Sequence, residues 1–506
     1  MAVTLAATSM TLLLLVPLLA AVALLTLPST SGGERVIALG GSLVTAVFAV
    51  LVVAGSYRVN VSWIRSLGIR WHFAVDGLSA ALVLLTALLT VAVVVHALAG
   101  ATPPGGSRST YLGAILLVET GALATFLARD AVLFFIAFEV VLVPMWVLIR
   151  RFGDDHVSDE RRADAAGRFV LFTVFGSTLM LIGILLLVWY QGTSDLDTLA
   201  GLHGDGLARP VQVTIAAVLL TGLAIKVPIW PLHTWLPSAH TIAPTAGSVL
   251  LAGVLLKMGT YGIVRLAVPA VPEGLAALSP VLAILGATGI IWGGLACLVE
   301  RDLKRLVAYS SIAHMGFVVL AIASGSDAGL QAALFGNVAH GVVSALLFFV
   351  VGDLKEGWGS ADLSVARAAL RDKTPRLGVA LVFGFAAALG LPGLVSFWGE
   401  FLALYAAWSP APGRSVAVLR TCVVVGAAGI ALAAAYSLRV LRIVWAGEGS
   451  DDARGDAATP VRDSAGPRWG VVVALIVAVV GLGVVPHLLL SISELDVVAV
   501  LSGAGR

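Results

Sequence analysis

The chain has 506 residues, 59% of them hydrophobic and only 12% charged, with a formal net charge of +2. A soluble chain of this length would form three or four domains of about 150 residues, but soluble domains carry about 25% charged residues, and a mean hydropathy of +1.01 leaves too little polar surface to cover them. Composition excludes a soluble enzyme and predicts a polytopic, all-α membrane protein, because about twenty apolar residues cross the hydrocarbon layer. The charges lie in short loops without a basic block, which excludes nucleic acid as a partner. Cys297 and Cys422 stand alone in apolar stretches, so neither a CxxC motif nor an iron–sulfur cluster is expected. Without a dinucleotide fingerprint or Walker loop, no cofactor or metal is expected in this chain.

Taken in chain order, apolar spans are predicted near 10–28, 35–54, 77–99, 111–128, 131–149, 168–190 and 211–231. A second series follows near 244–267, 276–299, 304–323, 330–352, 378–408, 415–445 and 468–490, fourteen in all. The first run, Thr11 to Leu27, lacks a charged leader and reads as a retained helix. Two spans are interrupted. The seventh continues through LAIKVPIWPLHTWLP with Pro228, Pro231 and Pro237, and the twelfth contains ALGLPGLVSFWGEF with Pro392 after Gly390. Proline removes a backbone donor and clashes with the preceding turn, so both helices should break inside the membrane, beside protein or water that satisfies the freed groups. Breaks at corresponding places of two halves point to an inverted-repeat transporter. The organisation expected is a three-helix segment at 1–110, a first repeat at 111–267, a second at 268–446, and a polar loop with the last helix at 447–506, the loop from Gly447 to Arg468 being flexible.

The odd-numbered connections hold about twenty Lys and Arg against about seven in the even ones, which places the odd loops in the cytoplasm and both termini on the outer side. Arg150, Arg151, Arg161, Arg162 and Arg168 carry one such loop, Arg301, Lys304 and Arg305 a second, and Lys355, Arg367, Arg371, Lys373 and Arg376 a third.

Within the spans lie groups that hydrocarbon penalises. A lysine near the bilayer centre costs about 2.5–3.5 kcal/mol on insertion scales, so Lys226 and Lys257 should face the bundle interior. Glu139, Glu119 and Glu400 are carboxylates in apolar runs, and His314 and His340 titrate near neutral pH. Lysine suits a proton carrier better than arginine because its pKa moves when buried. Carboxylates, lysines and histidines spread over five or six helices form what a lateral proton wire requires. Each has a structural competitor: Glu139 as a static partner of Lys226 or Lys257, His314 as a hydrogen-bonded core histidine, His233 and His240 as caps of the broken seventh helix. Glu119 stands between the two readings, and His96 is read as a surface residue.

At these residues the chain resembles a known family. The run from Lys226 to Arg265, FFIAFEVVLVPMWVLI around Glu139, RDLKRLVAYSSIAHMGF around His314, LGLPGLVSFWGEF around Glu400 and WHFAVDGLS near Asp76 are similar, in the same order, to the antiporter-like subunit M (chain 4) family of proton-pumping NADH:quinone oxidoreductase, respiratory complex I. The resemblance implies fourteen transmembrane helices with two inverted five-helix repeats and a proton relay of Glu139, Lys226, Lys257, His314, His340 and Glu400, with Glu119, His233 and His240 as possible additions. It implies flavin, iron–sulfur clusters and quinone in partner subunits only, sister antiporter-like subunits and lipids as neighbours, and a bacterial plasma membrane as the location. Sister subunits and the multi-subunit cation/proton antiporters typically carry lysine where this chain has Glu400, so an antiporter or membrane-bound hydrogenase subunit is the alternative.

Overall fold

The computed structural model describes residues 2–27, 32–358, 361–363, 370–447 and 463–503. Among these, thirteen helices are long and apolar enough to cross a membrane. The predicted twelfth span is two shorter helices, Pro375–Ala388 and Val395–Trp408, in line with its predicted interruption. Three helices form the centre: Thr245–Ala270 is wholly buried, and Leu303–Ser324 and Asp327–Gly357 nearly so. The outer helices, among them Gly33–Gly55 and Val416–Trp445, turn apolar faces outward, with Trp189, Leu171 and Val424 exposed. An apolar perimeter of this kind requires lipid as its solvent. In lipid, helices associate through close backbone approach at small residues. Gly286 and Gly316 provide it here: a Cβ on either would fall within 2.8 Å of the other's carbonyl oxygen.

The seventh span is helical to Lys226, runs irregularly through residues 227–234, and resumes as Trp235–Ile242. The broken turn is satisfied from within the protein, the buried Trp235 indole Nε1 donating to the Ile225 carbonyl at 3.0 Å. In the twelfth, Gly390 and Gly393 adopt positive φ angles of 74° and 91° around Pro392, which only glycine does without strain. The wholly buried eighth span alternates α-helix with two π-helical stretches, Leu251–Leu255 and Ile263–Ala267. Such bulges release carbonyls from the regular ladder, and Lys257 lies between them.

Three features differ from the sequence reading. Strands Arg58–Ile64 and Ile69–Ala74 form an antiparallel hairpin between the second and third spans; its period-two alternation produces no apolar window. The last span ends at Val484, and after Pro486 a separate helix, His487–Ser502, follows, because proline cannot continue the ladder. His96 is buried, not a surface residue: its Nε2 meets Asp353 Oδ1 at 2.8 Å, and Arg468 donates to the same carboxylate at 2.9 Å. An acid contributed from 257 residues downstream cannot be seen in a sequence window. Residues 448–462 of the expected flexible loop lie outside the described residues.

Candidate functional site

Six elements carry the six predicted relay residues into the bundle. Glu139 lies near the end of Ala131–Val140, where helical structure is interrupted at Val141; Pro144, lacking an N–H, leaves the Val140 carbonyl unclaimed. The last residue of its half-helix, Lys226, is buried, with its ammonium 4.7 Å from the centre of the Phe138 ring. A cation over an aromatic face is attracted by the ring quadrupole, which gives the lysine a resting place beside Glu139. The Glu139 charge acts on Lys226 through space, yet among the described residues Glu139 has no ion-pair partner within 4.0 Å. Neither the static pair with Lys226 nor the one with Lys257 is formed.

Lys257 has no exposed surface. Its amine donates to the Ala252 carbonyl, one turn back in the π-helical stretch, and contacts His340 Nδ1 at 2.5 Å. His340 sits on Asp327–Trp358, and one turn away Thr260 donates to Asn337 at 2.9 Å, clipping the two helices in register. The rings of His340 and His314 have centroids 5.7 Å apart, and Nε2 of each is buried without a hydrogen-bond partner. Between them is a cavity of about 10 Å³ lined by Ser310, Ser311, Ser344 and Ser396, about the space one water needs. His314 Nδ1 then meets Glu400 Oε1 at 3.0 Å. Glu400 is buried and its carboxylate lies over Gly390, where a Cβ would come within 2.6 Å of Oε2. The structure thus joins Lys257, His340, His314 and Glu400 in one line through three direct or single-water steps.

The additional candidates lie elsewhere. Glu119 is wholly buried near Thr90 on the third span, in contact with none of the six. His233 lies in the broken segment, edge-on to the half-exposed Trp292 with centroids 6.4 Å apart. His240 is fully buried, stacked on Phe348 at 4.5 Å, and both its ring nitrogens lack a partner. The sequence reading counted Lys304 as a loop cation, but it is buried and donates to the Ala243 carbonyl at 2.5 Å. The signal was available: the chain has five lysines against twenty-six arginines, so a lysine opening an apolar span is out of keeping with its surface chemistry.

An ionic knot between the hairpin's end and the last turns of the eighth span ties the two together. Asp76 accepts from Arg265 at 2.7 Å and pairs with Arg129 at 2.8 Å. Burial alone would raise its carboxyl, but the two guanidiniums beside it hold it well below the usual carboxylate range. Asp195 accepts from His72 and from Thr198, and these bonds outweigh burial to bring it down to about 2.

A multi-pass helical bundle with a row of buried acids and bases at its centre is the class of protein in hand. The model of the NADH:quinone oxidoreductase/Mrp antiporter transmembrane family matches residues 128–426, and the chain belongs to that family. It is 37% identical over 443 residues to NADH-quinone oxidoreductase subunit M of Pseudomonas aeruginosa, covering 86% of this chain and 83% of that one. With subunit M of Rhodobacter capsulatus it shares 34% identity over 439 residues, covering 83% and 82%. Among solved structures it superposes on a chain of respiratory complex I from Thermus thermophilus with a TM-score of 0.84 at 28% identity, over 98% of this chain and all of that one. A chain of the Mrp complex from Dietzia gives 0.86 at 23% identity over 98% of each, a likeness of fold alone.

Proposed function

We propose that this chain is the proton-translocating, antiporter-like subunit M of the membrane arm of an NADH:quinone oxidoreductase. It carries no redox centre of its own and is driven by quinone reduction in partner subunits that hold the flavin and iron–sulfur clusters. Its neighbours are the other membrane-arm subunits, sister antiporter-like chains among them, together with lipid. The location is a bacterial plasma membrane with both termini outside, and the repeats are 111–267 and 268–446, in each of which the fourth helix is the broken one.

The observation that carries the reading is the continuous line Lys257–His340–His314–Glu400. A proton leaving Lys257 Nζ is taken by His340 Nδ1; the ring releases its other proton from Nε2 to a water; His314 accepts at Nε2 and gives from Nδ1 to Glu400. Each imidazole receives on one nitrogen and donates from the other, so each proton accepted is matched by one released. The step requiring work lies at Glu139 and Lys226. Moving a charge against about 200 mV costs about 4.6 kcal/mol at about 2.3 per 100 mV, and a carboxylate brought to about 4 Å from a lysine supplies about 4 kcal/mol at an effective dielectric near 20. Closing and opening that pair therefore swings the lysine's proton affinity by the amount the gradient demands. The cation/proton antiporter alternative shares the fold, but the relatives above 30% identity carry the names of quinone oxidoreductase subunit M or chain 4.

The test is NADH-driven acidification of membrane vesicles alongside quinone reduction. Glu139→Gln and Lys226→Ala should each assemble, lose pumping and slow coupled electron transfer; parental pumping in either defeats the proposal.

A further inference from the structure

A relay through Lys257 builds a gradient only if protons already delivered to the outer face cannot fall back onto that lysine, and the eighth span leads there from that face. The hairpin, the end of Thr245–Ala270 and the helix His487–Ser502 surround a cavity of about 530 Å³ on the face whose low Lys and Arg content assigns it to the outside. A bonded row of charges descends from its rim. Arg58 pairs with Asp197 at 3.3 Å, Asp197 with Arg129 at 3.1 Å, Arg129 with Asp76 at 2.8 Å and Asp76 with Arg265 at 2.7 Å, and side-chain exposure falls from 57% at Arg58 to 6% at Arg265. Arg265 Nε donates to the Tyr261 hydroxyl at 3.0 Å, and that hydroxyl donates to the Phe126 carbonyl at 2.8 Å. Tyr261, Phe126 and Phe134 expose nothing, the tyrosine ring lying edge-on to Phe126 and stacked on Phe134 with centroids 5.3 and 6.4 Å apart. One turn deeper on the same helix comes Lys257, about 12 Å along the axis from Arg265 at about 1.5 Å per residue.

A row of acids and bases running from water towards the central lysine would be a second wire if its members could exchange protons. They cannot: a guanidinium does not deprotonate in a protein, and the Tyr261 proton is committed to a backbone carbonyl. Tying the hairpin to the bundle is not a sufficient reason for Arg265 either. Arg129 already holds both Asp76 and Asp197, and a second buried guanidinium, on a spanning helix, carries a desolvation penalty that an ion pair offsets only in good geometry. A fixed cation at the neck of a wide mouth does what a tie does not, because it repels incoming protons, as an arginine does in selective pores. We propose that Arg265, held by Asp76 and Tyr261 above the buried aromatic layer, is the outer seal of the subunit, which keeps protons of the outer face from returning to Lys257 along the eighth span. The seal rests on the relay proposed above, in which Lys257 carries protons, and adds what stops their return.

The assembled complex in sealed proteoliposomes with a trapped pH dye tests it without NADH, through the proton leak driven by a potassium diffusion potential that draws protons from the outer face. Arg265→Lys keeps the charge and should stay as tight as the parent. Arg265→Gln should leak about tenfold faster, since a unit charge removed at about 12 Å, at an effective dielectric near 20, changes a proton's population about tenfold. With NADH, that variant should turn over quinone unslowed while the steady pH difference falls. Adding Lys257→Met to Arg265→Gln should restore tightness, which it would not do for a leak through loosened packing. Arg129→Gln also takes a cation from Asp76, but leaves the neck closed, and should stay tight. Where Arg265→Gln does not assemble, Asp76→Asn/Arg265→Gln removes acid and cation together, leaves Arg129 on Asp197, and decides in its place. A parental leak in whichever of these assembles overturns the seal, as does a leak that survives Lys257→Met, and an equal leak in Arg129→Gln makes the row a tie only. If Lys257→Met loses pumping while Arg265→Gln stays tight, the seal alone falls; if Lys257→Met pumps like the parent, the relay falls and the seal with it.

Discussion

The two halves of the buried row are built differently. In the second, Lys257, His340, His314 and Glu400 touch in sequence, with a water-sized cavity at the one place where rings do not meet. In the first, Lys226 rests on the Phe138 ring and Glu139 stands beside it without a direct bond. A standing wire needs contact, because a proton hops only between groups already aligned. A pair that is to perform work must be able to open, because a permanent salt bridge would leave the lysine's affinity fixed. On the relay proposed above, the contrast would give conduction to the second half and energy coupling to the first.

The sharpest way to break this contrast is at the joint. Lys257→Met removes the group shared by the wire and the first half and should lower pumping by about 100-fold or more, with complex content on native gels unchanged; vesicle acidification near the parental rate would show that protons bypass it. Next comes the end of the wire: Glu400→Gln should suppress pumping severely, Glu400→Asp retain part, and Glu400→Lys be partly tolerated. Proteoliposomes in which Glu400→Gln pumps like the parent would make the His314–Glu400 contact a packing feature.

A third experiment addresses the scaffold. Asp76→Asn leaves Arg265 without its acid, while Arg129 keeps Asp197 at 3.1 Å, and breaking a buried pair costs about 3–5 kcal/mol, so the variant should melt earlier and yield less assembled complex. Because the folded carboxyl is depressed, its contribution is fully present above the unfolded value of about 3.9 and is lost only as pH falls through the folded one. The knot therefore does not titrate near neutrality, and the pH profile of pumping in Asp76→Glu should follow the parent. Orientation comes fourth: single cysteines in the loops 150–168 and 353–376 should escape an impermeant reagent added outside sealed cells, and labelling of either would refute the cytoplasmic placement of these loops. The smallest effect is expected for His233→Ala, whose ring faces the half-exposed Trp292 at the perimeter; its pumping should stay within about twofold of the parent, consistent with the small cost of changes away from key features.

Much of the site could be read from residue type alone. Lys226, Lys257, His340, His314 and Glu400 stand out because hydrocarbon admits such groups only at a cost; all but the partly buried His314 are buried, and Lys226, Lys257 and Glu400 lie near helix breaks or bulges. His240 was read as a cap of the broken helix as readily as a proton group, since nothing in its local run reveals Phe348 stacked on its ring. His96 went to the surface because its partner Asp353 is remote in sequence. The hairpin escaped because strands of six or seven residues with alternating polarity carry no span-length signal.

The amino-acid order by itself determined the solvent of this protein, the spacing of its helices, the two proline interruptions and the roll of ions that must hide inside. Each follows from a local balance: apolar length against bilayer thickness, a missing N–H against a broken ladder, a charge against hydrocarbon. Only the tertiary structure decided which ions touch. Lys257 meets His340 across 83 residues and His314 meets Glu400 across 86, contacts fixed by how glycine-faced helices pack in lipid. Whether an acid and a base are joined or merely near depends on ångström separations set by that packing, to which residue type and spacing along the chain are blind.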